Sequence, residues 1–197
     1  MKTNKKLIES LNKKPKTLLF WKGYILDWVI DLVIAGIIVL IITTFAFQNM
    51  YVVGSSMNPT LKNGEMVLIN KLTYLKKDPN RNDIVAFKHV DSSNNEMNIV
   101  KRIIGVPGDT IEMVNNVLYL NDERFDHFVK EYNQSDPFLK GNMDYPIKVP
   151  ENAYFVLGDN KANSVDSRYL EIGMIPKQEI EGKIFIRIWP FWKIKLL

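Results

Sequence analysis

Two adjacent serines stand in the stretch GSSMNPTLKNGE, residues 54–65, a few residues beyond a long apolar run. A serine hydroxyl is a weak nucleophile until a nearby base accepts its proton. Histidine is the usual base, but the chain contains only His89 and His127. Neither histidine has a convincing partner in the sequence. A Ser-His-Asp triad is therefore disfavoured, and both histidines are interpreted as surface residues.

Lysine is the other candidate base, although its reference pKa of ~10.4 leaves it protonated at neutral pH. Burial among apolar groups penalises the charged form and can lower that pKa by ~3–5 units. In NIVKRIIGVPGD, residues 98–109, strand alternation puts Lys101 on one face with Ile99 and Ile103. The neighbouring Arg102 cannot lose its proton in practice. Lys101 is therefore a candidate base, while the spacing alone also fits a lysine that extends along a strand edge to solvent.

A second polar segment, LGDNKANSVDSRYLEIG, residues 157–173, follows the apolar stretch AYFV. Asp166 and Arg168 are two residues apart, which allows a salt bridge that braces the loop, and Ser164 supplies a further hydroxyl. A calcium site is disfavoured, because the acidic spacing does not match a D-x-D-x-D-G loop with a closing glutamate. An ordinary hydrogen-bonded surface turn fits this composition as well.

The elements that position these groups begin with a membrane segment. Residues 1–23 hold seven lysines and one acidic residue, and the positive-inside bias places this tail in the cytoplasm. Residues 24–47 are long and apolar enough for one transmembrane helix, and no small-x-small site follows that would favour a cleaved signal. The motif SLNK, residues 10–13, matches S-x-x-K but is dismissed because it lies in this tail without companion motifs. Residues 48–197 are then expected on the extracytoplasmic side.

The exterior part is predicted to be mainly β. Short alternating segments predict eight strands, at residues 51–55, 65–71, 83–89, 97–105, 110–114, 117–120, 153–157 and 180–188. The polar stretch 122–150 is interpreted as an insertion or a small subdomain. The chain has no cysteine, which excludes disulfides, thiolate nucleophiles and Cys-bound metals, and the nearly neutral exterior part argues against nucleic-acid binding.

Taken together, these segments closely resemble bacterial type I signal peptidases of the Gram-positive kind. The resemblance covers the anchor and about residue 51 to the C-terminus, and it depends on four boxes in order: SSMNPTL, RNDIVAF, VKRIIGVPGD and LGDNKANSVDSR. It implies a β-sheet or partial-barrel catalytic domain with a small inserted subdomain behind one transmembrane helix. No cofactor or metal is implied.

The resemblance also implies a role for each candidate residue. Ser56 is implied as the nucleophile and its backbone N–H as an oxyanion donor, Lys101 as the general base, and Ser164 as the residue that hydrogen-bonds and orients the lysine. Asp166 and Arg168 are implied to hold the last box in place by their salt bridge. Ser55 is implied to be a bystander.

Two positions depart from the family pattern. Gly54 stands where some relatives carry a serine whose hydroxyl adds an oxyanion donor, so a second donor must come from elsewhere or be absent. Asn82 replaces a glycine in the second box. That replacement affects the expected turn geometry but no catalytic group.

The implied function is removal of signal peptides from exported preproteins after an Ala-x-Ala-like site, with the substrate added as a β-strand beside the site. The expected partners are signal-peptide-bearing preproteins and the lipid bilayer, and the resemblance also admits the translocation machinery. The C-terminal IFIRIWPFWKIKLL, residues 184–197, is interpreted as a final strand followed either by an interfacial aromatic patch or by ordinary core. The alternatives are a membrane-tethered β-domain that binds exported proteins without cutting, and a self-cleaving repressor-type protease, which the membrane segment argues against.

Overall fold

The computed structural model describes residues 16–90, 93–125 and 140–197, with side chains from residue 24 onward. The SLNK motif, His127 and residues 126–139 of the predicted insertion lie outside the described residues. The chain divides into two compact units, Met1–Phe45 and Ala46–Leu197.

The first unit contains the apolar helix. Helix α1 spans Lys16–Ala46, so it begins before the predicted membrane segment and ends one residue before its predicted end. Its part from Tyr24 to Ala46 has 23 residues with a mean hydropathy of 2.7, which gives a length of about 35 Å. This length is enough for the ~30 Å hydrocarbon layer of a bilayer.

The second unit is built from twelve strands among its described residues. They are β1 Phe47–Tyr51, β2 Met66–Asn70, β3 Ile84–Val90, β4 Glu96–Gly105, β5 Thr110–Val114, β6 Val117–Leu120, β7 Glu123–Arg124, β8 Ile147–Lys148, β9 Ala153–Leu157, β10 Ile175–Pro176, β11 Ile180–Trp189 and β12 Lys195–Leu196. Three short 3-10 helices accompany them, Thr73–Leu75, Lys177–Glu179 and Phe191–Lys193. This architecture confirms the prediction of a mainly β domain.

The strand predicted at 51–55 is wrong in position. The structure places the strand at Phe47–Tyr51 instead, where it pairs antiparallel with β2 from Phe47 opposite Asn70 to Tyr51 opposite Met66. Residues 52–55 leave the sheet because the chain bends at Gly54, whose φ is +87°. The bend allows the serine-containing turn to lie beside the sheet edge rather than within it.

The strands form two antiparallel sheets. The large sheet has the order β1-β2-β11-β3-β4-β9-β10, with β12 paired to β11, and the small sheet has the order β7-β6-β5-β8. Strand β9 pairs with β4 only at Arg102, Ile103 and Gly105. The same edge of β4 from residue 96 to 101 therefore has no strand partner among the described residues.

Three apolar cores stabilise these sheets. The first core comprises Val52, Met57, Leu61, Val67, Ile69, Ile84, Ala86, Val100 and Ile184. The second comprises Val85, Phe87, Ile103, Tyr154, Val156 and Ile175, and the third comprises Ile104, Ile111, Met113, Leu118, Val149, Phe155 and Leu157. Alternate residues of β3 enter the first and second cores, because successive side chains of a strand point to opposite faces. Residues 84–87 of β3 are therefore buried on both faces, and they pair with the part of β4 that carries Lys101.

Candidate active site

Ser56 lies in the turn that follows β1. The N–H of Gly54 donates to Asn63 Oδ1 at 2.9 Å, which fixes the start of the turn. After Ser56, the side chains of Met57 and Leu61 are buried in the first core, and the N–H of Leu61 donates to the Met57 carbonyl at 2.9 Å. Buried side chains on one side of Ser56 and a hydrogen-bonded bend on the other therefore position its hydroxyl.

Lys101 lies on β4, and its Nζ is 2.8 Å from Ser56 Oγ. The β3–β4 register puts Val85 directly opposite Lys101, and Ile103 lies on the same face two residues further on. The lysine is only 4% exposed. The strand alternation seen in the sequence thus places the amine in an apolar setting, and the fold brings it to a serine 45 residues away.

Burial lowers the pKa of Lys101 to about 8, from 10.5 for an exposed lysine. Asp166 raises this pKa, Arg168 lowers it and Asp159 raises it, each by its charge and each by less than the burial. At pH 7 a pKa of about 8 leaves about one-tenth of the amine unprotonated. That fraction is far larger than an exposed lysine would provide.

Asp166 and Arg168 form a buried, two-pronged ion pair. Arg168 Nε donates to Asp166 Oδ1 at 2.7 Å, and Nη2 donates to Oδ2 at 2.8 Å. The same guanidinium donates to the carbonyls of Lys161 and Ser164 at 3.0 and 3.2 Å, while Asp166 Oδ2 accepts the N–H of Gly158 at 3.0 Å. The pair therefore connects the end of β9 to both ends of the polar loop.

Ser164 does not make the hydrogen bond to Lys101 that the resemblance implies. Its Oγ is buried and has no hydrogen-bond partner in the described part of the chain. The hydroxyl instead lies against Gly158: a Cβ at position 158 would be 2.2 Å from Ser164 Oγ and 2.5 Å from the Ser56 carbonyl oxygen. Only glycine fits at 158, and the orienting role of Ser164 stays a prediction.

Ser55 contacts the polar loop rather than the lysine. Its Oγ accepts from Asn163 Nδ2 at 2.7 Å, and its carbonyl accepts from Asn160 Nδ2 at 3.1 Å. The N–H of Asn160 also donates to the Ser56 carbonyl at 2.9 Å. The two asparagines tie the serine turn to the loop, a function that sequence reasoning missed although both residues lie inside the box LGDNKANSVDSR.

Arg102, next to Lys101, is paired with the buried Asp159. Its Nε and Nη2 donate to the two carboxylate oxygens at 2.9 and 2.7 Å, and its Nη1 donates to the Asn82 carbonyl at 2.9 Å. Asn82 itself has a φ of 73°, in the left-handed region that asparagine tolerates better than most residues. The departure from glycine in the second box therefore keeps a turn that the family pattern requires.

A cleft of about 640 Å³ opens beside Ser56 and Lys101. One wall is the segment Met50–Val53, and the other is the unpaired edge of β4 from Met97 to Val100; Met57, Val165, Glu171, Ile172 and His89 complete the lining. Unpaired strand edges can bind an extended peptide by adding it as a strand. The cleft is thus suited to hold a peptide with one of its bonds at Ser56.

The histidines do not supply a base in this arrangement. His89 lines the cleft and is half-buried, and its Nε2 is buried without a hydrogen-bond partner among the described residues. His89 lies opposite Met97, four residues along β4 from Lys101. Within the described residues, no group of three or more His, Asp or Glu side chains could hold a metal ion.

A serine hydroxyl in hydrogen-bond contact with a buried lysine, at a peptide-sized cleft of an antiparallel β-domain, is the arrangement of serine hydrolases that use lysine as their base. The comparisons with known proteins agree with that class. The family model described as "Signal peptidase, peptidase S26" matches residues 25–189.

Among curated relatives, "Signal peptidase I P" of Bacillus subtilis subsp. natto is 40% identical over 179 residues, covering 88% of this chain and 94% of the relative. "Signal peptidase IB" of Staphylococcus aureus (strain COL) is 35% identical over 186 residues, with 88% and 94% covered. A crystal structure of a signal peptidase I from Enterococcus faecalis V583 matches at 33% identity and a TM-score of 0.43, covering 55% of this chain and 97% of that chain. The chain therefore belongs to the signal peptidase I family of S26 serine peptidases.

Proposed function

We propose that this peptidase removes N-terminal signal peptides from secreted preproteins after an Ala-x-Ala-like site, with Ser56 as nucleophile and Lys101 as general base. The observation that carries the proposal is the 2.8 Å distance between Ser56 Oγ and the Nζ of a lysine that is only 4% exposed. Family membership supports the substrate class, since the relatives are signal peptidases.

The proposed chemistry needs only these two side chains and a water molecule. Neutral Lys101 takes the proton of the Ser56 hydroxyl while Oγ attacks the scissile carbonyl carbon. The resulting ammonium then gives that proton to the leaving amine, and the C–N bond breaks to leave an acyl ester on Ser56. Lys101, neutral again, takes a proton from a water molecule that attacks the ester, and the serine is regenerated.

The developing oxyanion is stabilised by the backbone N–H of Ser56. Position 54 carries no hydroxyl that could add a second donor, because the residue there is Gly54. Its φ of +87° suits glycine, and a Cβ at this position would meet no atom within 4 Å. The space beside the nucleophile is therefore left to the substrate or to water.

The substrate is proposed to bind as an extended strand between Met50–Val53 and the free edge of β4. This edge offers backbone groups that a peptide strand can pair with, and the pairing would place successive substrate side chains alternately on the two faces. The apolar residues Met50, Val52 and Val100 lie where small side chains next to the scissile bond would fit. The translocation machinery is proposed to deliver the preproteins.

The peptidase is membrane-anchored by the apolar segment Tyr24–Ala46, and we propose that its lysine-rich N-terminus is cytoplasmic and its catalytic unit extracytoplasmic. The positive-inside bias supports this topology. The chain has no cysteine, so the topology can be tested with single-cysteine variants. We expect an impermeant maleimide to label Glu123→Cys but not Thr3→Cys on intact cells or protoplasts; the reverse pattern would contradict the proposal.

The aromatic residues near the C-terminus are proposed to contact the bilayer surface. Trp189, Phe191 and Trp192 pack against one another and are 46%, 64% and 67% exposed. The sequence analysis left ordinary core as the alternative interpretation of this segment, and such exposure is not that of a core. Aromatic rings beside Lys193 and Lys195 suit a lipid interface. Quenching of tryptophan fluorescence by brominated lipids should fall in Trp192→Ser, and unchanged quenching would contradict this contact.

Two neighbouring serines provide a matched test of the nucleophile. With detergent-solubilised protein and a signal-bearing precursor, we expect Ser56→Ala to abolish cleavage and Ser55→Ala to leave it within a few-fold of the wild type. Lys101→Met should lower kcat/KM by about 10³-fold or more, because it removes the base, whereas the exposed Lys88→Met should change little. Cleavage retained in both Ser56→Ala and Lys101→Met would reject the dyad. A wild-type protein that binds the precursor but does not cut it would instead favour a domain that only binds exported proteins.

The pH dependence tests the protonation state of the base. Because the neutral amine is the active form and its pKa is lowered to about 8, kcat/KM should rise with pH and level off above about 8. Below that pH it should fall about tenfold per unit. An activity at pH 5 equal to that at pH 8 would rule out Lys101 as the base.

A further inference from the structure

The cleft extends beyond the dyad along β4 as far as Met97, and His89 is part of its lining. His89 lies opposite Met97 in the β3–β4 register, and Met97 is four residues from Lys101 along β4. A strand rises ~3.3 Å per residue, which separates the two positions by ~13 Å. His89 is therefore too far from Ser56 to act in the chemistry, yet it lines the same cleft.

The register also fixes the direction of the His89 side chain. Residues directly opposite in an antiparallel pair point to the same face of the sheet. Because Val85 is opposite Lys101 and His89 is opposite Met97, and because alternate residues of a strand share a face, His89 and Lys101 lie on one face. A substrate strand that passes Lys101 would reach His89 after about four residues.

His89 Nε2 is buried and has no hydrogen-bond partner in the described ranges. A buried polar atom without a partner costs free energy that an incoming partner can recover. With the proton on Nδ1, Nε2 accepts a hydrogen bond. In that tautomer the ring can accept a hydrogen bond from a donor that enters the cleft.

Glu171 lines the same cleft from the loop that follows Arg168. Its side chain is exposed, and a carboxylate can only accept hydrogen bonds. Besides Lys101, the titratable side chains of the cleft lining are Tyr51, whose hydroxyl can donate or accept a hydrogen bond, and the two residues Glu171 and His89. Both Glu171 and His89 can accept hydrogen bonds, so this part of the cleft favours a substrate side chain that donates one. The negative charge of Glu171 favours a cationic side chain among such donors.

We propose that His89 and Glu171 form a polar specificity subsite that binds a hydrogen-bond-donating side chain of the substrate, above all a lysine or arginine, four or five residues from the scissile bond. The inference deepens the proposed function and rests on it, since it takes the cleft at Ser56 as the substrate cleft. His89 is a specificity residue here and not a catalytic one.

The test uses peptides that differ at a single position. Each of the positions four or five residues from the scissile bond, on either side, carries Ala, Gln or Lys in turn. The wild-type enzyme should prefer Gln and Lys over Ala about five- to tenfold in kcat/KM, mainly through KM, at one of these positions. No such preference is expected at the two residues that flank the scissile bond.

Two variants and a control assign the preference to its residues. His89→Phe keeps a flat ring without nitrogen and should bring the ratio of kcat/KM for the Gln peptide to that for the Ala peptide close to one, whatever its effect on the all-Ala peptide. Glu171→Gln should lower the ratio of kcat/KM for the Lys peptide to that for the Gln peptide about threefold at low salt. The control Glu123→Gln, which removes an exposed charge on β7, should leave this ratio unchanged.

Three results would overturn the subsite: a wild-type enzyme without any preference, a preference unchanged in His89→Phe, or an equal loss for all peptides in His89→Phe. In each of these cases the wild-type enzyme still cleaves the all-Ala peptide, which leaves the proposed function intact. Failure of the wild-type enzyme to cleave any of the peptides would instead refute the proposed function, and the subsite with it.

Discussion

Lys101 and Arg168 are both buried cations, but their surroundings differ in one respect. Arg168 is 1% exposed and its guanidinium meets both carboxylate oxygens of Asp166. Lys101 is 4% exposed, and no ion pair to it is recorded among the described residues. The pKa of Arg168 is raised by Asp166 despite its burial, whereas burial lowers the pKa of Lys101 to about 8.

The difference shows how one small region can hold a buried arginine in its charged form and a buried lysine with a lowered pKa. A hydrogen-bonded carboxylate compensates the desolvation of a charge, and the charge then persists. Without such a partner, the cheapest response to burial is loss of the proton. Asp166 and Asp159 lie near enough to act on Lys101 by their charge, but each is bonded to an arginine instead. Because the two carboxylates pair with arginines, neither of them forms an ion pair with Lys101 that would offset the burial of its charge.

The largest expected effect on stability comes from breaking the buried ion pair of Arg168 with Asp166. Asp166→Asn would leave the Arg168 charge buried with its main partner lost, which should lower the free energy of unfolding by about 3–5 kcal/mol. The matched control is Asp78→Asn, which breaks an exposed pair with Lys177 and should cost about 1 kcal/mol or less. Urea unfolding of the detergent-solubilised protein measures both. Equal costs for the two variants would contradict a structural role of the buried pair.

Substitution of the unpaired Lys101 should change the free energy of unfolding in the opposite direction. The folded-state pKa of Lys101, about 8, is below the 10.5 of an exposed lysine. Burial of the charged amine therefore lowers the free energy of unfolding by its full amount below about pH 8. This loss of stability disappears as the pH rises towards 10.5. A shift of this size corresponds to about 3 kcal/mol. Lys101→Met should therefore be more stable than the wild type at pH 7 while it is inactive.

The measurement is the unfolding free energy of the two proteins at pH 7 and at pH 10. The advantage of Lys101→Met should shrink at the higher pH, because the wild-type penalty is then nearly gone. The exposed Lys88→Met should show no pH-dependent advantage. If Lys101→Met is less stable than the wild type at both pH values, the amine is not buried at a cost in the folded protein.

The smallest expected effect concerns Ser164, whose carbonyl accepts a hydrogen bond from Arg168. Its hydroxyl lies against Gly158, and a rotation on substrate binding is proposed to bring it to Lys101. Ser164→Ala should then lower kcat about tenfold, as for one lost hydrogen bond. It should also move the acidic limb of the pH profile upward, because a donor to the neutral amine favours the neutral form. An unchanged profile would show that Ser164 does not act on Lys101.

Much of the site could be predicted from the sequence because its residues lie in short, contiguous boxes. Strand alternation alone identified the apolar face of Lys101, and the spacing of Asp166 and Arg168 suggested their ion pair. The strand at Phe47–Tyr51 was misplaced because Val52 and Val53 have strong strand propensity, while the bend at Gly54 decides otherwise. The place of His89 in the cleft could not be predicted, because it depends on the pairing of β3 with β4 and on the cleft that forms beside β4.

The sequence by itself determined the membrane segment, the mainly β character of the rest and the identity of the groups available for chemistry, because these depend on local composition and periodicity. Only the packed sheet brings Lys101 to Ser56, Arg102 to Asp159 and the two loop asparagines to Ser55, and only there does the free edge of β4 become one wall of a cleft. Those outcomes join residues 45 to more than 100 positions apart. No local pattern records such contacts, because they form only when the sheet closes around its cores and removes the amine from water.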